Sequence, residues 1–253
     1  MRVFEEIKYS KSANPCHLLD LYMPDGECSV LFLYFHGGGF IEGSRKELHR
    51  DHPFVKEMTE AGFGVATAEY SMYPDARYPD FIEDAAKAVT FVSEGLSEYG
   101  GYGKLVLGGC SAGGHITQML CFNSSFLEAV GVDHSTISAY VHDAGQPTVH
   151  FNVLRERGYD YRKIIVDKQA PLYYVGLAKE YPPMQIIVSD NDIENRLEQT
   201  EMLIATLRHF GYDMSKVHLT KTSGKHVWYL NATDNDGKSE YAKLIIPFIK
   251  NVI

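Results

Sequence analysis

The sequence has little of what marks a secreted, metal-bound or membrane-spanning chain. It contains 4 cysteines in 253 residues, and none of them forms a C-x-x-C pair or a zinc-like spacing. A domain of this length does not need disulfides, so we expect reduced thiols. No apolar run approaches the length of a membrane span, and the first residues contain no uninterrupted apolar segment. These absences predict a soluble, cytoplasmic protein without a membrane partner.

Positive charge is also scarce. The chain has 24 Lys and Arg against 33 Asp and Glu, which gives a formal net charge of -9, and the basic residues are scattered. This balance excludes a nucleic acid or an anionic membrane surface as the expected partner. Neutral or weakly charged small molecules fit the overall charge better.

Repeats and low-complexity linkers are absent, and strand patterns alternate with helical ones. The length and the 45% hydrophobic content fit one domain, residues 1–253. The alternation predicts an α/β fold with a mostly parallel sheet covered by helices on both faces. The predicted strands are 3–9 and 16–22, as an antiparallel pair, then 30–35, 63–70, 104–108, 136–142, 184–189 and 217–222. The predicted helices are 44–61, 78–94, 112–122, 194–210 and 241–253.

One segment, residues 143–182, interrupts this alternation and is rich in tyrosine. We interpret it as a candidate lid or cap insertion. Its tyrosines either line an acyl or aryl pocket or serve plain packing, and the sequence leaves both interpretations open. They are Tyr159, Tyr161, Tyr173, Tyr174 and Tyr181.

The pentapeptide 109–113, Gly-Cys-Ser-Ala-Gly, stands where an apolar strand runs into a helical pattern. A serine between two glycines at such a turn is typical of a nucleophile elbow, because the tight backbone needs small flanks and leaves the hydroxyl exposed. The pattern makes Ser111 a candidate for attack on a carbonyl. Cys110 lies one position before the outward-facing residue, so we do not expect it to be the nucleophile.

A second motif follows the apolar run 30–35, where the chain reads His36-Gly37-Gly38-Gly39-Phe40. An HGGG segment of this kind is typical of a preformed oxyanion hole. Glycines suit it because backbone N–H groups must point at the developing negative charge without an intervening Cβ.

With these two motifs, the chain resembles α/β-hydrolases of the esterase/lipase kind with an HGGG loop, as in the hormone-sensitive-lipase-like and related small carboxylesterase families. The resemblance covers nearly the whole chain, from the strand before His36 to the helix after His226. Residues 68–74, Ala-Glu-Tyr-Ser-Met-Tyr-Pro, are similar to the families' Asp-Tyr-Arg-Leu-Ala-Pro segment, without its Arg and Ala. The resemblance implies the α/β-hydrolase fold with a small lid insertion.

The resemblance also implies an acid and a base that follow the serine in that order. The segment Ser189-Asp190-Asn191-Asp192 stands in the place of the families' Gly-x-x-Asp, which selects Asp192. Asp190 and Glu194 stay as alternatives, since aspartates also cap turns. The base is expected at His226, the only histidine after His218.

For the oxyanion hole, the resemblance places the donors at the N–H groups of Gly38 or Gly39 and of Ala112. His36 is expected to organise this loop rather than to act as a base. The pair His49 and His52 has H-x-x-H spacing but no third ligand, so we interpret it as a solvated helix face. We expect no metal and no organic cofactor.

The resemblance implies a serine carboxylesterase that hydrolyses short-acyl or small aryl esters, with acetylated carbohydrates among the candidate substrates. An arylformamidase would use the same three side chains. A non-catalytic ligand-binding protein on the same scaffold is a third alternative, because fold does not determine function.

Overall fold

Eight strands form one mixed sheet in the computed structural model, which describes residues 1–253. The strands lie side by side in the order β1, β2, β4, β3, β5, β6, β7, β8 once they are numbered along the chain. Their bounds are β1 Arg2–Lys8, β2 Leu18–Met23, β3 Val30–Phe35, β4 Phe63–Ala68, β5 Lys104–Cys110, β6 Ile137–Asp143, β7 Met184–Asn191 and β8 Val217–Lys225. Strand β2 pairs antiparallel with β1 and β4, and all other pairs are parallel. The predicted antiparallel start and parallel body are confirmed.

The central strands are buried on both faces. All six residues of β3 and all six of β4 are buried, as are six of the seven in β5. This is why they read as continuous apolar runs rather than as alternating patterns. In register, Phe35 pairs with Ala68 on one side and with Gly109 on the other. The carboxyl ends of three neighbouring strands therefore lie level at one edge of the sheet.

Helices cover both faces of the sheet. One apolar layer contains Phe54 and Tyr241, and the other contains Phe81, Ile116 and Leu203. No helix combines the length and the apolar character needed to span a bilayer. The helices are α1 Pro53–Glu60, α2 Asp80–Ser93, α3 Ala112–Phe122, α4 Ser125–Glu128, α5 Phe151–Glu156, α6 Pro171–Tyr174, α7 Arg196–His209 and α8 Glu240–Val252.

The predicted helix over 44–61 is wrong in its first half. The chain makes a short 3-10 turn at Arg45–Glu47, and α1 begins only at Pro53. Proline disfavours helical backbone in the residue before it, and His52 is extended, with φ -64° and ψ 131°. The fixed φ of Pro53 then suits the first helical position.

The irregular segment 143–182 contains α5 and α6 and packs onto the face that carries α3. Val153 and Leu154 of α5 are fully buried in that apolar layer. The segment is held internally by the Val149 N–H, which donates to the Ile165 carbonyl at 2.9 Å. Its role as a lid stays a prediction.

Candidate active site

The loops that carry the predicted site residues meet at the carboxyl edge of the parallel strands. The HGGG segment follows β3, Ser111 follows β5, Asp192 follows β7 and His226 follows β8. The carboxyl ends of parallel strands share one edge of a sheet. Residues far apart in sequence therefore come close together here.

Ser111 lies on a strained turn between β5 and α3. Its backbone has φ 53° and ψ -109°, which few non-glycine residues adopt. A Cβ at Gly109 would lie 2.6 Å from the Gly113 carbonyl carbon, and a Cβ at Gly113 would lie 1.9 Å from the Phe35 carbonyl oxygen. Only glycine fits at both flanks. The Ser111 N–H donates to the Asp143 carbonyl at 2.8 Å, which ties the turn to the end of β6.

Ser111, His226 and Asp192 form one chain of hydrogen bonds. His226 Nδ1 lies 2.6 Å from Asp192 Oδ1, and His226 Nε2 lies 2.9 Å from Ser111 Oγ. An ionised carboxylate can only accept, so Nδ1 carries the proton and donates it to Asp192. Nε2 is then the acceptor for the Ser111 hydroxyl. In this arrangement the imidazole can remove the serine proton.

Asp192 is held as an ionised acceptor. Its side chain is 1% exposed. It accepts from the N–H of Ile193 at 2.7 Å and from the N–H of Ser189 at 3.2 Å. Burial raises the pKa of Asp192, but the hydrogen bond and charge of His226, the Ile193 N–H and the charge of Arg196 outweigh it and lower the pKa overall. The carboxylate is therefore available to orient the imidazole and to stabilise it when it becomes positive.

The alternative acids lie elsewhere. Asp190 is exposed and accepts from the Ser223 hydroxyl at 2.8 Å and from the Gly224 N–H at 2.9 Å. It therefore ties the loop after β7 to the end of β8. Glu194 is exposed and lines a neighbouring pocket. Neither carboxylate is hydrogen-bonded to His226.

The loop that carries His226 is braced from both sides. The Trp228 ring lies against Gly224, where a Cβ would be 2.6 Å from the ring carbon Cδ1. The Tyr229 hydroxyl donates to Asp143 Oδ1 beneath the site. Burial raises the pKa of Asp143 to about 8, although the Tyr229 hydrogen bond opposes this. Asp143 acts as a buried anchor for this loop through the Tyr229 hydrogen bond.

The HGGG loop turns tightly beside Ser111. Gly38 and Gly39 have φ of 99° and 64°, and a Cβ at Gly38 would lie 1.9 Å from the Glu42 carbonyl oxygen. A Cβ at Gly37 would lie 3.4 Å from the Ser111 Cβ, so the loop passes directly over the serine. A side chain at Gly38 would clash with the loop itself, so this turn requires glycine there.

Backbone donors near the serine remain free. The N–H groups of Gly38, Gly39 and Ala112 donate to no oxygen of the protein. Ala112 is the first residue of α3, where helical N–H groups have no partner within the helix. These three N–H groups are the positions predicted for the oxyanion hole.

His36 is locked inside the fold rather than directed at the serine. Its Nε2 lies 2.6 Å from Glu69 Oε1 and its Nδ1 lies 2.8 Å from the Gly37 carbonyl oxygen. The ring stacks on Tyr70 with centroids 4.3 Å apart. Glu69 and Tyr70 belong to the 68–74 segment that resembles the esterase families. That segment therefore supports the HGGG loop.

The other candidates from sequence are structural. Cys110 is fully buried, accepts from the Tyr34 hydroxyl at 3.0 Å, and burial raises the pKa of its thiol well above the ordinary value. The interpretation of His49 and His52 as a solvated helix face is wrong, because both precede α1 and His52 is buried. His52 caps α1 by accepting from the Phe54 N–H, and its other nitrogen contacts Asn231. No group of three or more His, Cys, Asp or Glu side chains is arranged to hold a metal ion.

Sequence reasoning missed three residues that support the site. Asn152 donates from Nδ2 to the Gly39 carbonyl at 2.5 Å and so holds the HGGG loop. The Asp143 carbonyl accepts from the Ser111 N–H, and the Asp143 side chain accepts from the Tyr229 hydroxyl. The charge of Arg196 helps to lower the pKa of Asp192. Asn152 lies in the irregular segment, and neither Asp143 nor Arg196 belongs to a motif, so only the fold reveals their positions.

The fold and the site define the protein as an α/β-hydrolase. The BD-FAE family model matches residues 19–153, more than half of the chain, and the chain belongs to this family. The resemblance to α/β-hydrolase esterases is thereby confirmed.

The curated relatives are longer proteins. Esterase LipQ of Mycobacterium tuberculosis is 25% identical over 218 residues, which are 77% of this chain and 50% of LipQ. An acetyl esterase of Salmonella schwarzengrund is 34% identical over 79 residues, which are 31% of this chain and 24% of that protein. The chain thus spans about half the length of LipQ and less of the acetyl esterase.

Solved structures match over almost the whole chain. A truncated carbohydrate esterase from gut microbiota superposes with a TM-score of 0.80 at 18% identity, covering 99% of this chain and 96% of that one. Esterase B from Lactobacillus rhamnosis superposes with a TM-score of 0.75 at 19% identity, covering 98% and 85%. At these identities the likeness confirms the fold.

Proposed function

We propose that this protein is a carboxylic ester hydrolase that cleaves esters with short acyl groups or small aryl leaving groups. The observation that carries the proposal is the hydrogen-bonded chain from Ser111 Oγ through both nitrogens of His226 to Asp192. A serine hydroxyl is a poor nucleophile unless a base takes its proton and a third group orients that base. The imidazole of His226 lies within hydrogen-bond distance of both the Ser111 hydroxyl and the Asp192 carboxylate.

The reaction proceeds by two acyl transfers. Ser111 Oγ bonds to the carbonyl carbon while its proton passes to His226 Nε2, and the carbonyl oxygen takes the electron pair. The N–H groups of Ala112 and of Gly38 or Gly39 stabilise this oxyanion, each worth about 3 kcal/mol in the transition state. The intermediate collapses, and the leaving alcohol takes the proton from Nε2. Water then attacks the acyl-enzyme by the same route and releases the acid.

The relatives support this reaction class. LipQ is named an esterase, the Salmonella protein an acetyl esterase, and the gut-microbiota structure a carbohydrate esterase. These names support acetyl groups on carbohydrates as one substrate class for this chain. The compact segment 143–182, with two short helices, favours short acyl chains over long ones.

The experiment combines turnover with covalent labelling. Purified protein is assayed with 4-nitrophenyl acetate, an acetylated xylose and N-formylkynurenine, and is then treated with diethyl 4-nitrophenyl phosphate. We expect hydrolysis of the esters and a single phosphorylated peptide that contains Ser111, both lost in Ser111→Ala. Labelling of a different residue would contradict the assigned nucleophile. Preference for N-formylkynurenine would indicate an arylformamidase, and ligand binding without turnover would indicate a non-catalytic protein.

A further inference from the structure

A pocket of about 190 Å³ lies between α5 and the start of α7. Two of its lining residues adjoin segments of the site. The Phe151 ring reaches within 3.4 Å of the position that a Cβ on Gly39 would take, so it borders the HGGG loop. Ile193 follows Asp192 directly in the chain and also lines the pocket. The pocket therefore adjoins both the HGGG loop and the loop that carries Asp192.

The pocket is positive in a negative protein. Its lining includes four cationic residues, Arg155, Arg162, Lys163 and Arg196, and one carboxylate, Glu194. Arg162 is paired with Asp160 at 2.6 Å, which leaves the other three cations against Glu194. The chain as a whole carries a formal net charge of -9, which favours neutral or weakly charged ligands, but the charge that lines this pocket favours an anion.

Arg196 is the deepest of these cations. Its side chain is among the largest that are fully buried, at 2% exposure. The guanidinium donates to two neutral oxygens, the Ala144 carbonyl and, at 3.4 Å, Gln146 Oε1. None of the ion pairs of the structure includes it. The negative charge of Asp192 affects the pKa of Arg196, but the Asp192 carboxylate is already hydrogen-bonded to His226.

A buried charge is ordinarily paired, because removing it from water is costly. Burial lowers the pKa of Arg196 to about 10, so the side chain stays positive at neutral pH. Asp192 acts on Arg196 electrostatically without forming a direct ion pair, and an anion in the pocket would add a second opposite charge.

Arg155 is oriented by its surroundings. Its Nη1 donates to Asn152 Oδ1 at 2.7 Å, and its guanidinium lies 4.3 Å from the centroid of the Tyr161 ring. The same Asn152 donates to the Gly39 carbonyl, so the guanidinium is tied to the HGGG loop. Arginine has five N–H donors, and most of those of Arg155 remain for a ligand. A donor held in place before binding loses less entropy when it binds.

We propose that this pocket binds a carboxylate carried by the substrate, so that the preferred esters are anionic. The inference rests on the proposed ester hydrolase function and names its substrate class. Arg155 and Lys163 meet the carboxylate at the mouth of the pocket, and Arg196 provides the positive charge behind it. The carboxylate takes no part in bond cleavage and serves only to bind and orient the ester.

The test uses two isosteric pairs of esters, each with one anionic and one neutral member. In the acyl pair, mono-4-nitrophenyl succinate is compared with 4-nitrophenyl 4-methylpentanoate, and the spontaneous hydrolysis of the succinate by its own carboxylate is measured without enzyme and subtracted. In the alcohol pair, 4-acetoxybenzoate is compared with 4-isopropylphenyl acetate. We expect kcat/KM for the anionic member to exceed that of its neutral partner by about tenfold or more in one pair, equivalent to about 1.4 kcal/mol. The pair that responds identifies the half of the ester that enters the pocket.

The electrostatic origin is tested by salt and by substitution. The preference should shrink between low salt and about 0.5 M salt, because exposed charges are screened. The double variant Arg155→Gln/Lys163→Gln should lower the anionic-to-neutral ratio by about tenfold. Arg208→Gln is the matched control, because Arg208 is an exposed arginine on α7 that does not line the pocket. Arg196 is left intact because it holds the Ala144 carbonyl.

The outcomes separate the two proposals. Turnover of the neutral esters without an anionic preference in either pair overturns the pocket assignment and leaves the hydrolase standing. A preference that survives the double variant unchanged also overturns it. If none of the four esters is hydrolysed, the hydrolase proposal fails and the pocket assignment fails with it.

Discussion

Two chains of Ser, His and Asp side chains occur in this molecule, and they differ in their surroundings. In addition to the site at Ser111, Ser12 Oγ lies 2.5 Å from His17 Nδ1, and His17 Nε2 lies 2.8 Å from Asp84 Oδ1. By side-chain type and distance alone, the second chain would pass for a catalytic triad. We refer to it as the Ser12 chain.

The Ser12 chain lacks the features that make a serine reactive. Ser12 lies in the turn between β1 and β2, where residues 9–17 contain no glycine, and its Oγ accepts from the Asn14 N–H at 3.3 Å, so it lacks the glycine-flanked turn of Ser111. Both oxygens of the Asp84 carboxylate are occupied by structural hydrogen bonds. Oδ2 accepts from the Ser71 hydroxyl at 2.6 Å, and Oδ1 accepts from Lys87 Nζ at 2.9 Å. The backbone at the serine decides the chemistry, and the three side chains alone do not.

The sharpest test of this comparison replaces each serine. Ser111→Ala should lower kcat for 4-nitrophenyl acetate by about 10⁵–10⁶-fold, because the nucleophile is lost. Ser12→Ala should leave kcat within about twofold, since the hydrogen bonds of Ser12 reach only Ser10, Asn14 and His17 and no residue of the proposed site. Steady-state kinetics on both variants measures the contrast. Equal losses in the two variants would mean that the two chains act together.

The second test replaces the acids. Asp192→Asn should lower kcat by about 10⁴-fold, because the amide leaves the imidazole in the wrong tautomer. Asp190→Asn is the matched control two positions away, and it should cost less than about tenfold, since Asp190 only ties two loops together. The reverse order of the two effects would move the acid to Asp190. Asp84→Asn should leave kcat/KM unchanged.

The third test concerns the free energy of unfolding, to which we expect the Ser12 chain to contribute more than the site at Ser111. Asp84→Asn should lower the free energy of unfolding by about 1–3 kcal/mol at pH 7, because it removes a buried, charged acceptor. Burial raises the pKa of Asp84, but hydrogen bonds from Ser71, Lys87 and His17 outweigh it and lower the pKa. The contribution is therefore complete above the unfolded pKa of about 4 and is lost as the pH falls through the lower folded value.

Urea unfolding of wild type and Asp84→Asn between pH 7 and pH 3 measures this. The difference between the two unfolding free energies should narrow toward the acid end. Asp160→Asn is the control, because Asp160 pairs with Arg162 on an exposed surface. A difference between wild type and Asp84→Asn that grows on acidification would show that Asp84 is protonated in the folded protein.

Much of the fold follows from local patterns. The predicted strand 30–35 and the predicted helix 112–122 have the bounds observed for β3 and α3, because an unbroken apolar run and a helical period are strong local signals. Strand β8 extends to Lys225, three residues beyond the prediction, through the loop that leads to His226. The helix predicted from 44 failed where Pro53 overrode the apolar pattern.

Some parts of the site could likewise be predicted from the sequence, and others could not. Ser111, the HGGG loop, Asp192 and His226 are found from motifs and chain order, and the structure brings them together. The charged pocket could not be predicted, because Arg155 and Arg196 lie 41 residues apart in different helices and meet only after folding. A net charge of -9 gives no indication of a local reversal of sign.

The hydrogen bond from Asn152 to the Gly39 carbonyl sets a limit on how the segment 143–182 can move or be altered. Swinging α5 away from the sheet would break this bond and release the glycine loop at the same moment. In the proposed hydrolase, such a movement would therefore also disturb the predicted oxyanion donors. We expect chimeras that exchange this segment to need an amide side chain at position 152 to keep the glycine loop in place.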